Sequence, residues 1–434
     1  MLFVHHFAKR TFAKRLLPLL PLSLLFWLMS CETLDFPNPN SPIVEDIAVQ
    51  TLVTGAEAGM RIELAFYLRV VAILGRDGYF FEQADPRWAN ELLPPDRVDA
   101  DGPFVTRSWN ARYRAIANCA TLLDKASALS GAEKAGVEGF AKTIMAYQLL
   151  LNLNNLDDNG IKFDFSGNRA APFVGKAESF TRIDALLDEA NNQLAAAGNA
   201  FSFTLSSGFA GFNTPAGFRK FNRALRARTA IYQKKYNDAL TALSASFLDV
   251  GAPLDLGVYH AYGTGLADEL NPIFEVPTAE VIRLYAHPSF QTDAEPGDRR
   301  FSSKVRVRLQ PAAYLGLTSN LGVTVAKSLT DPFPIIRNEE LILIRAEANI
   351  GLGNLAAAQA DLDVIRAAAG LGPVTLTAAN AIDQVLKERR YSLFMEGHRW
   401  IDLRRYDRLK LPFAPIDRSG DGFNSKIPRP TNEG

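Results

Sequence analysis

Catalysis marks a chain by residue type and spacing, and the nearest approaches in these 434 residues fall short. Residues 170–177, Ala-Ala-Pro-Phe-Val-Gly-Lys-Ala, look like a broken phosphate loop: they lack its first glycine and the Ser/Thr that would hold magnesium. Asp417 to Gly422 has the flavour of a calcium loop, but its twelfth position is Pro428, which has no carboxylate to offer. His260, His287 and His398 each stand alone, beyond metal-ligand spacing of one another. There is no Gly-x-Ser-x-Gly elbow for a serine nucleophile. Two carboxylates converging for glycoside hydrolysis would leave no spacing signature, so that reading stays open as a minor alternative. No metal, cofactor or catalytic residue is expected.

Aromatic residues carry the better-marked chemistry. A sugar ring lays its flat C–H face on an aromatic side chain, while its hydroxyls exchange hydrogen bonds with Asn, Asp and Arg. Residues 79–106 have no helical period and hold Tyr79, Phe81 and Trp88 among Pro86, Pro94, Pro95 and Pro103. So long an irregular stretch is more than a connection needs, which points to function. Residues 253–320 are equally irregular and hold Tyr259, Tyr262, Tyr285 and Phe290. These seven rings are the expected ligand contacts, Trp88 foremost. The competing reading makes them core or capping residues.

Something regular must hold such loops. Leu341, Ile344, Ala348 and Leu352 recur at i, i+3, i+7 and i+11, one stripe on a helix. After Gly353 and Asn354, which tolerate a left-handed exit, a second stripe runs through Leu355, Ala358, Leu362, Ile365 and Ala369. So short a link forces an antiparallel hairpin over 337–369. A second hairpin over 217–248 repeats it, because Ala227, Ala239 and Leu243 match Ala346, Ala358 and Leu362 at a constant offset of 119. Small residues facing each other across two helices allow close approach, the tetratricopeptide device. The expected fold is mainly α: tetratricopeptide-like hairpins packed against an irregular, loop-rich half with a few short strands. A third helix, about 381–396, puts Arg389 and Glu396 into its apolar stripe. Buried charges need partners, and Arg345, Glu347, Arg399 and Asp402 could supply them; otherwise the two charges flank the stripe and reach water.

Two motifs resemble the SusD/RagB family in combination. One is Arg-x-x-Glu-x-x-Leu-x-x-Ala-Glu-Ala from Arg337 to Ala348, including Glu340 and Glu347. The other, within the signature stretch 381–406, is Glu388-Arg389 followed by Glu396-Gly397-His398-Arg399-Trp400-x-Asp402-Leu403-x-Arg405. The resemblance covers most of 43–410, with its specific part in the last seventy residues. It implies one SusD-like domain over 43–434 with no enzymatic activity. It also implies capture of oligosaccharide, or of another nutrient such as peptide, outside the cell. The partner would be a SusC-like TonB-dependent transporter in the outer membrane, and the family's habit favours ligand aromatics in 79–106 and 253–320. The rival class is a tetratricopeptide-type envelope scaffold that binds no small ligand.

Residues 1–30 agree with export. Lys9, Arg10, Lys14 and Arg15 precede an uncharged run from Leu16 to Met29, too short to span a membrane as a mature helix. The run ends Leu28-Met29-Ser30-Cys31, which resembles a bacterial lipobox and makes Cys31 the expected acylated residue (palmitate among its chains). A plain signal peptide with an incidental cysteine is the alternative. With Cys31 acylated, Cys119 has no disulfide partner and reads as a small buried hydrophobe. Residues 31–42, Pro- and Asn-rich, read as a tether. Formal charge is zero overall; without residues 1–30 the chain has 43 basic against 47 acidic residues, with no basic patch for nucleic acid.

Overall fold

The computed structural model describes residues 47–265 and 268–433. The signal segment 1–30, Cys31 and the tether 31–42 lie outside the described residues. Two helices open the described chain, α1 (Val49–Arg61) and α2 (Leu64–Leu74). Glu63, at φ 56°, turns the chain between them. Arg112 explains why the break is tolerated. Fully buried, it donates to the carbonyls of Met60 (2.9 Å) and Ile62 and to Gln148 Oε1 (2.8 Å), so the carbonyls that α1 leaves open are satisfied by a cation.

A three-residue strand β1 (Gly78–Phe80) and a single turn α3 (Arg87–Asn90) occupy the stretch that reads as irregular. Helix α4 (Pro103–Ala126) then starts six residues before Trp109, with Pro103 at its first turn where a missing N–H costs nothing. Next come α5 (Gly131–Leu156), α6 (Lys176–Ala195), α7 (Pro215–Tyr232) and α8 (Tyr236–Ser244). Residues 201–205, which alternate like a strand, are not one. The second half holds β2 (Gly257–His260), β3 (Leu284–Ala286), α9 (Ser289–Thr292), α10 (Arg299–Lys304), β4 (Val305–Tyr314), β5 (Leu317–Val323) and β6 (Phe333–Arg337). The chain closes with α11 (Asn338–Gly351), α12 (Leu355–Ala369), α13 (Ala381–Ser392) and α14 (Arg399–Arg405). Among the described residues no helix is long and apolar enough to cross a membrane.

The long helices stack in series. Helix α1 packs on α4, then α4 on α5, α5 on α6, α6 on α7 and α7 on α8. Helix α8 meets α11, which pairs with α12 and carries α13. The two hairpins α7–α8 and α11–α12 are the pair set by the 119-residue offset. Ala227, Ala239, Ala346 and Ala358 are all fully buried at their crossings. Gly351 shows how tight the joint is: a methyl group there would fall 2.3 Å from the Tyr236 ring. Gly353 takes the left-handed turn at φ 79°, while Asn354 stays at φ −84°. Ile342, Leu343, Ala346, Leu362, Ile365, Val385 and Leu393 form the core beneath.

The charges of the C-terminal signature are inside and paired. Arg389 has no exposed side-chain surface, so it does not reach water. Its Nε lies 2.7 Å from Asp402, which also accepts from Arg405 Nη2 at 2.8 Å. Arg405 bonds Glu347 as well, and Tyr406 donates to that carboxylate at 2.8 Å. Glu396 pairs with Arg337 at 2.8 Å, and Glu388 with Arg300 and Arg366 at 2.7 and 2.6 Å. Of the four partners expected for Arg389 and Glu396, Glu347 and Asp402 serve Arg389; Arg345 turns instead to Asp361 on α12. Trp400 donates to the Asn424 carbonyl at 2.8 Å, and Gly397 supplies a left-handed turn at φ 84°.

The half that reads as irregular contains a four-stranded antiparallel sheet, β1-β3-β5-β4, and a separate pair β2–β6. Strand β1 pairs with β3 so that Tyr79 faces Tyr285 and Phe80 faces Leu284. Strands β4 and β5 form a hairpin turned at Leu315 and Gly316, with the register shifting between Val307 and Ala312. Strand β4 is an outer strand, and Leu309 on it is 99 % exposed.

Candidate ligand-binding cleft

The sheet closes over most of the rings expected at a ligand. Tyr79, Phe81, Tyr285 and Phe290 are buried. Pairing of β1 with β3 stacks Tyr79 on Phe81 and Phe81 against Tyr285, with ring centroids 5.5 and 5.1 Å apart. Phe290 sits between Tyr391 and Phe394 at 4.7 and 4.0 Å. These four belong to the core: the β1–β3 pair, buried on both faces, turns the rings of Tyr79, Phe81 and Tyr285 inward, and helix α9 does the same for Phe290. Tyr259 is half-buried in a different cleft, beside Arg337 and Glu396, and its hydroxyl donates to the Asp255 carbonyl. Tyr262 is half-buried too; burial, with Glu269 nearby, pushes its phenol upward. The seven rings therefore do not form one surface.

Trp88 is the exception. It is 95 % buried, wedged among Phe66, Phe80 and Phe104 at 5.0, 4.8 and 4.9 Å, so its faces are not a platform. It nonetheless lines an open cleft of about 500 Å³. Among the described residues the indole Nε1 has no hydrogen-bond partner, and it is not one of the enclosed atoms. By contrast, Trp400 Nε1 is satisfied internally.

The cleft lies where α2, α4, the 80–88 segment and the 269–283 segment meet. Helix α2 contributes Phe66 and Arg69, and α4 contributes Arg107. Three guanidinium groups cover ring faces here: Arg69 over Phe80 and Arg107 over Phe66, both at 4.4 Å, and Arg283 over Phe80 at 5.5 Å. Most of these cations are matched. Arg107 meets Glu63 at 2.7 Å, Arg283 meets Glu82 at 2.9 Å, and Asp85 is held by Arg87 at 2.7 Å. Arg69 donates to the Pro272 carbonyl and has no carboxylate within ion-pair distance among the described residues. Burial lowers its pKa to about 10. Glu269, across the same cleft, is raised by burial with Arg61 the nearest relief.

This arrangement can offer donors and acceptors together. An unmatched guanidinium, a carboxylate without an ion pair and an indole ring whose N–H has no partner among the described residues line one space whose other charges cancel in pairs. Hydroxyl groups both donate and accept, so a polyhydroxylated ligand satisfies such a lining, whereas a simple ion satisfies only half of it. Of the rings expected at a ligand only Trp88 lines this cleft; Phe66, Arg69, Phe80, Glu82, Arg107, Glu269 and Arg283, which line it too, were not among the expected contacts. Arg69 had a signal: it is the only charged residue in Leu-Ala-Phe-Tyr-Leu-Arg-Val-Val-Ala-Ile-Leu. No three His, Cys, Asp or Glu among the described residues group as a metal site would require. The two acids of the calcium-like stretch are otherwise engaged, Asp417 with His287 at 2.9 Å and Asp421 with Arg418 at 2.8 Å.

Comparison with known proteins agrees with this architecture. Residues 319–433 match the SusD family. The fold is shared with surface glycan-binding protein A from Bacteroides thetaiotaomicron, at 14 % identity and TM-score 0.67, over 89 % of this chain and 96 % of that one. A SusD-like protein from Bacteroides fragilis aligns at 15 % identity and TM-score 0.65, over 89 % and 94 % of the two chains. A laminarin-binding SusD-like protein aligns at 18 % identity and TM-score 0.58, over 83 % and 91 %. No curated protein matches the sequence. Residues 319–433 are thus similar in sequence to the SusD family, and across nearly nine-tenths of its length the chain has the fold of SusD-like proteins.

Proposed function

We propose that the protein is a non-catalytic binder that captures oligosaccharide at the cell surface, using the cleft beside Trp88. The observation that carries this reading is the cleft's lining: a free indole N–H, an unmatched Arg69 and Glu269 around about 500 Å³. Two proteins of the same fold are described as binding glycan or laminarin, which supports the ligand class. The anchor is lipid on Cys31, and the ligand passes to a SusC-like TonB-dependent transporter in the outer membrane.

Isothermal calorimetry against a panel of laminari-, malto-, manno- and galacturono-oligosaccharides tests the binding role, with Trp88→Phe and Arg283→Ala beside the wild type. Binding to at least one glycan, weakened about tenfold in either variant, supports it. A panel with no binder, or affinity unchanged in both variants, removes the cleft from consideration. Mass spectrometry of the mature N-terminus tests the anchor, and co-purification with a barrel transporter tests the partnership.

A further inference from the structure

We propose a second sugar-binding site, on the flank of helix α4 opposite the first. Arg107 lies in the cleft beside Trp88, whereas Trp109 and Asn110, two and three positions on, line a separate cleft of about 290 Å³ closed by the 162–169 segment. Trp109 projects about 160° round the helix from Arg107 and Asn110 only about 60°, so the second cleft reaches round from the far flank to the near one, and the two clefts share no lining residue.

The second cleft repeats the chemistry of the first with different residues. Trp109 is 97 % buried against Tyr113 and Phe173, at 4.3 and 5.5 Å, yet its Nε1 has no partner among the described residues and is not one of the enclosed atoms. Asn110 and Arg169 are exposed, and neither side chain makes a hydrogen bond or ion pair among the described residues. Asp164 is set in place by Ser166, whose N and Oγ donate at 2.9 and 2.6 Å. Those bonds hold its carboxyl below the usual range, so it remains an acceptor. Phe165 is half-buried with no ring nearer than Phe163 at 6.4 Å, which leaves an apolar wall unoccupied. Two uncommitted donors, an uncommitted amide, a fixed carboxylate and a free ring around one small space suit a hydroxylated ring with an apolar face. That is the description of a hexose unit, not of a bare ion.

The inference uses none of the residues of the first cleft but shares its ligand class. Its test is calorimetry of the wild type, the double variant Asn110→Ala/Arg169→Ala and Arg283→Ala against the same oligosaccharide panel. Both side chains replaced in the double variant are exposed and make no bond among the described residues, while the Arg169 carbonyl that accepts from Lys162 at 2.6 Å is kept, so the fold is expected to hold, and the melting curve checks this. The expected result is two ligands per chain, falling to one in the double variant, with Arg283→Ala weakening the other about tenfold. A single site lost only in the double variant supports this inference and overturns the one proposed above. A single site indifferent to the double variant overturns this inference and leaves the first intact. No binding to any member of the panel overturns both.

Discussion

Arg228 on α7 and Glu340 on α11 meet through two hydrogen bonds of 2.7 and 2.6 Å, and both side chains are almost wholly enclosed. This bidentate pair joins the two hairpins that the sequence repeats. Its environment decides its energetics: removing one partner strands a charge, whereas removing both does not. Glu340→Gln or Arg228→Met alone should therefore cost about 3–5 kcal/mol in urea unfolding. The double change Arg228→Met/Glu340→Leu should cost clearly less than the two added together. An additive pair of values would show that the two groups act independently.

Acid should loosen the same region through His398. Its Nδ1 is 2.8 Å from the Tyr232 hydroxyl, and burial, with Arg228 and Arg389 close by, lowers its pKa to about 3. A histidine depressed in the folded state stays neutral there while the unfolded chain takes up a proton. Stability is then full above the unfolded value of 6.5 and declines as pH falls towards the folded value. Between pH 6.5 and 5 the loss should be on the order of 2 kcal/mol. Asparagine places an oxygen near the position of Nδ1, so His398→Asn should flatten the slope of stability against pH in that window. Asp402, held down by Arg389 and Arg405 despite its burial, adds a further loss only below the carboxylate range.

Trp88 should separate packing from recognition. Trp88→Ala opens a hole among Phe66, Phe80 and Phe104 and should cost about 3–5 kcal/mol in chemical unfolding. Trp88→Phe keeps most of that contact and loses the indole N–H. It should melt within a few degrees of the wild type while its oligosaccharide affinity drops about tenfold, or 1.4 kcal/mol. Equal affinity for Phe and Trp would assign the indole to packing alone.

Arg112 offers a test of the break between α1 and α2. Arg112→Met keeps the bulk of the side chain but leaves the carbonyls of Met60 and Ile62 and the Gln148 amide without their donor. A loss of about 1–3 kcal/mol per stranded group is expected. Hydrogen exchange should report it first at residues 58–66, ahead of global unfolding. Uniform acceleration over the whole chain would argue against a local cap.

The helical frame was legible because its stripes are long and its small residues recur at one offset. The partners of Arg389 were legible too, since a buried cation needs a carboxylate and few were in reach. The 79–106 segment misled for a definite reason. Strand β1 is three residues long, and the strand that encloses it begins at Leu284, some two hundred positions away. A Pro-flanked aromatic run reads the same whether it is exposed or covered by so distant a partner. The hairpin β4–β5 was hidden by its own exposure: Val307 and Leu309 point outward, so the alternation that marks a half-buried strand is spoiled. The cleft residues were mostly invisible because Arg69, Arg107, Glu269 and Arg283 come from four separate segments.

Strand β4 has one more implication. An outer strand with bare aliphatic side chains would ordinarily recruit a second chain edge to edge. Here the register slips midway, and Pro311 sits within the slipped stretch without an N–H to offer. Two copies meeting at this edge are thus denied a continuous ladder, so the strand ends the sheet instead of seeding a longer one.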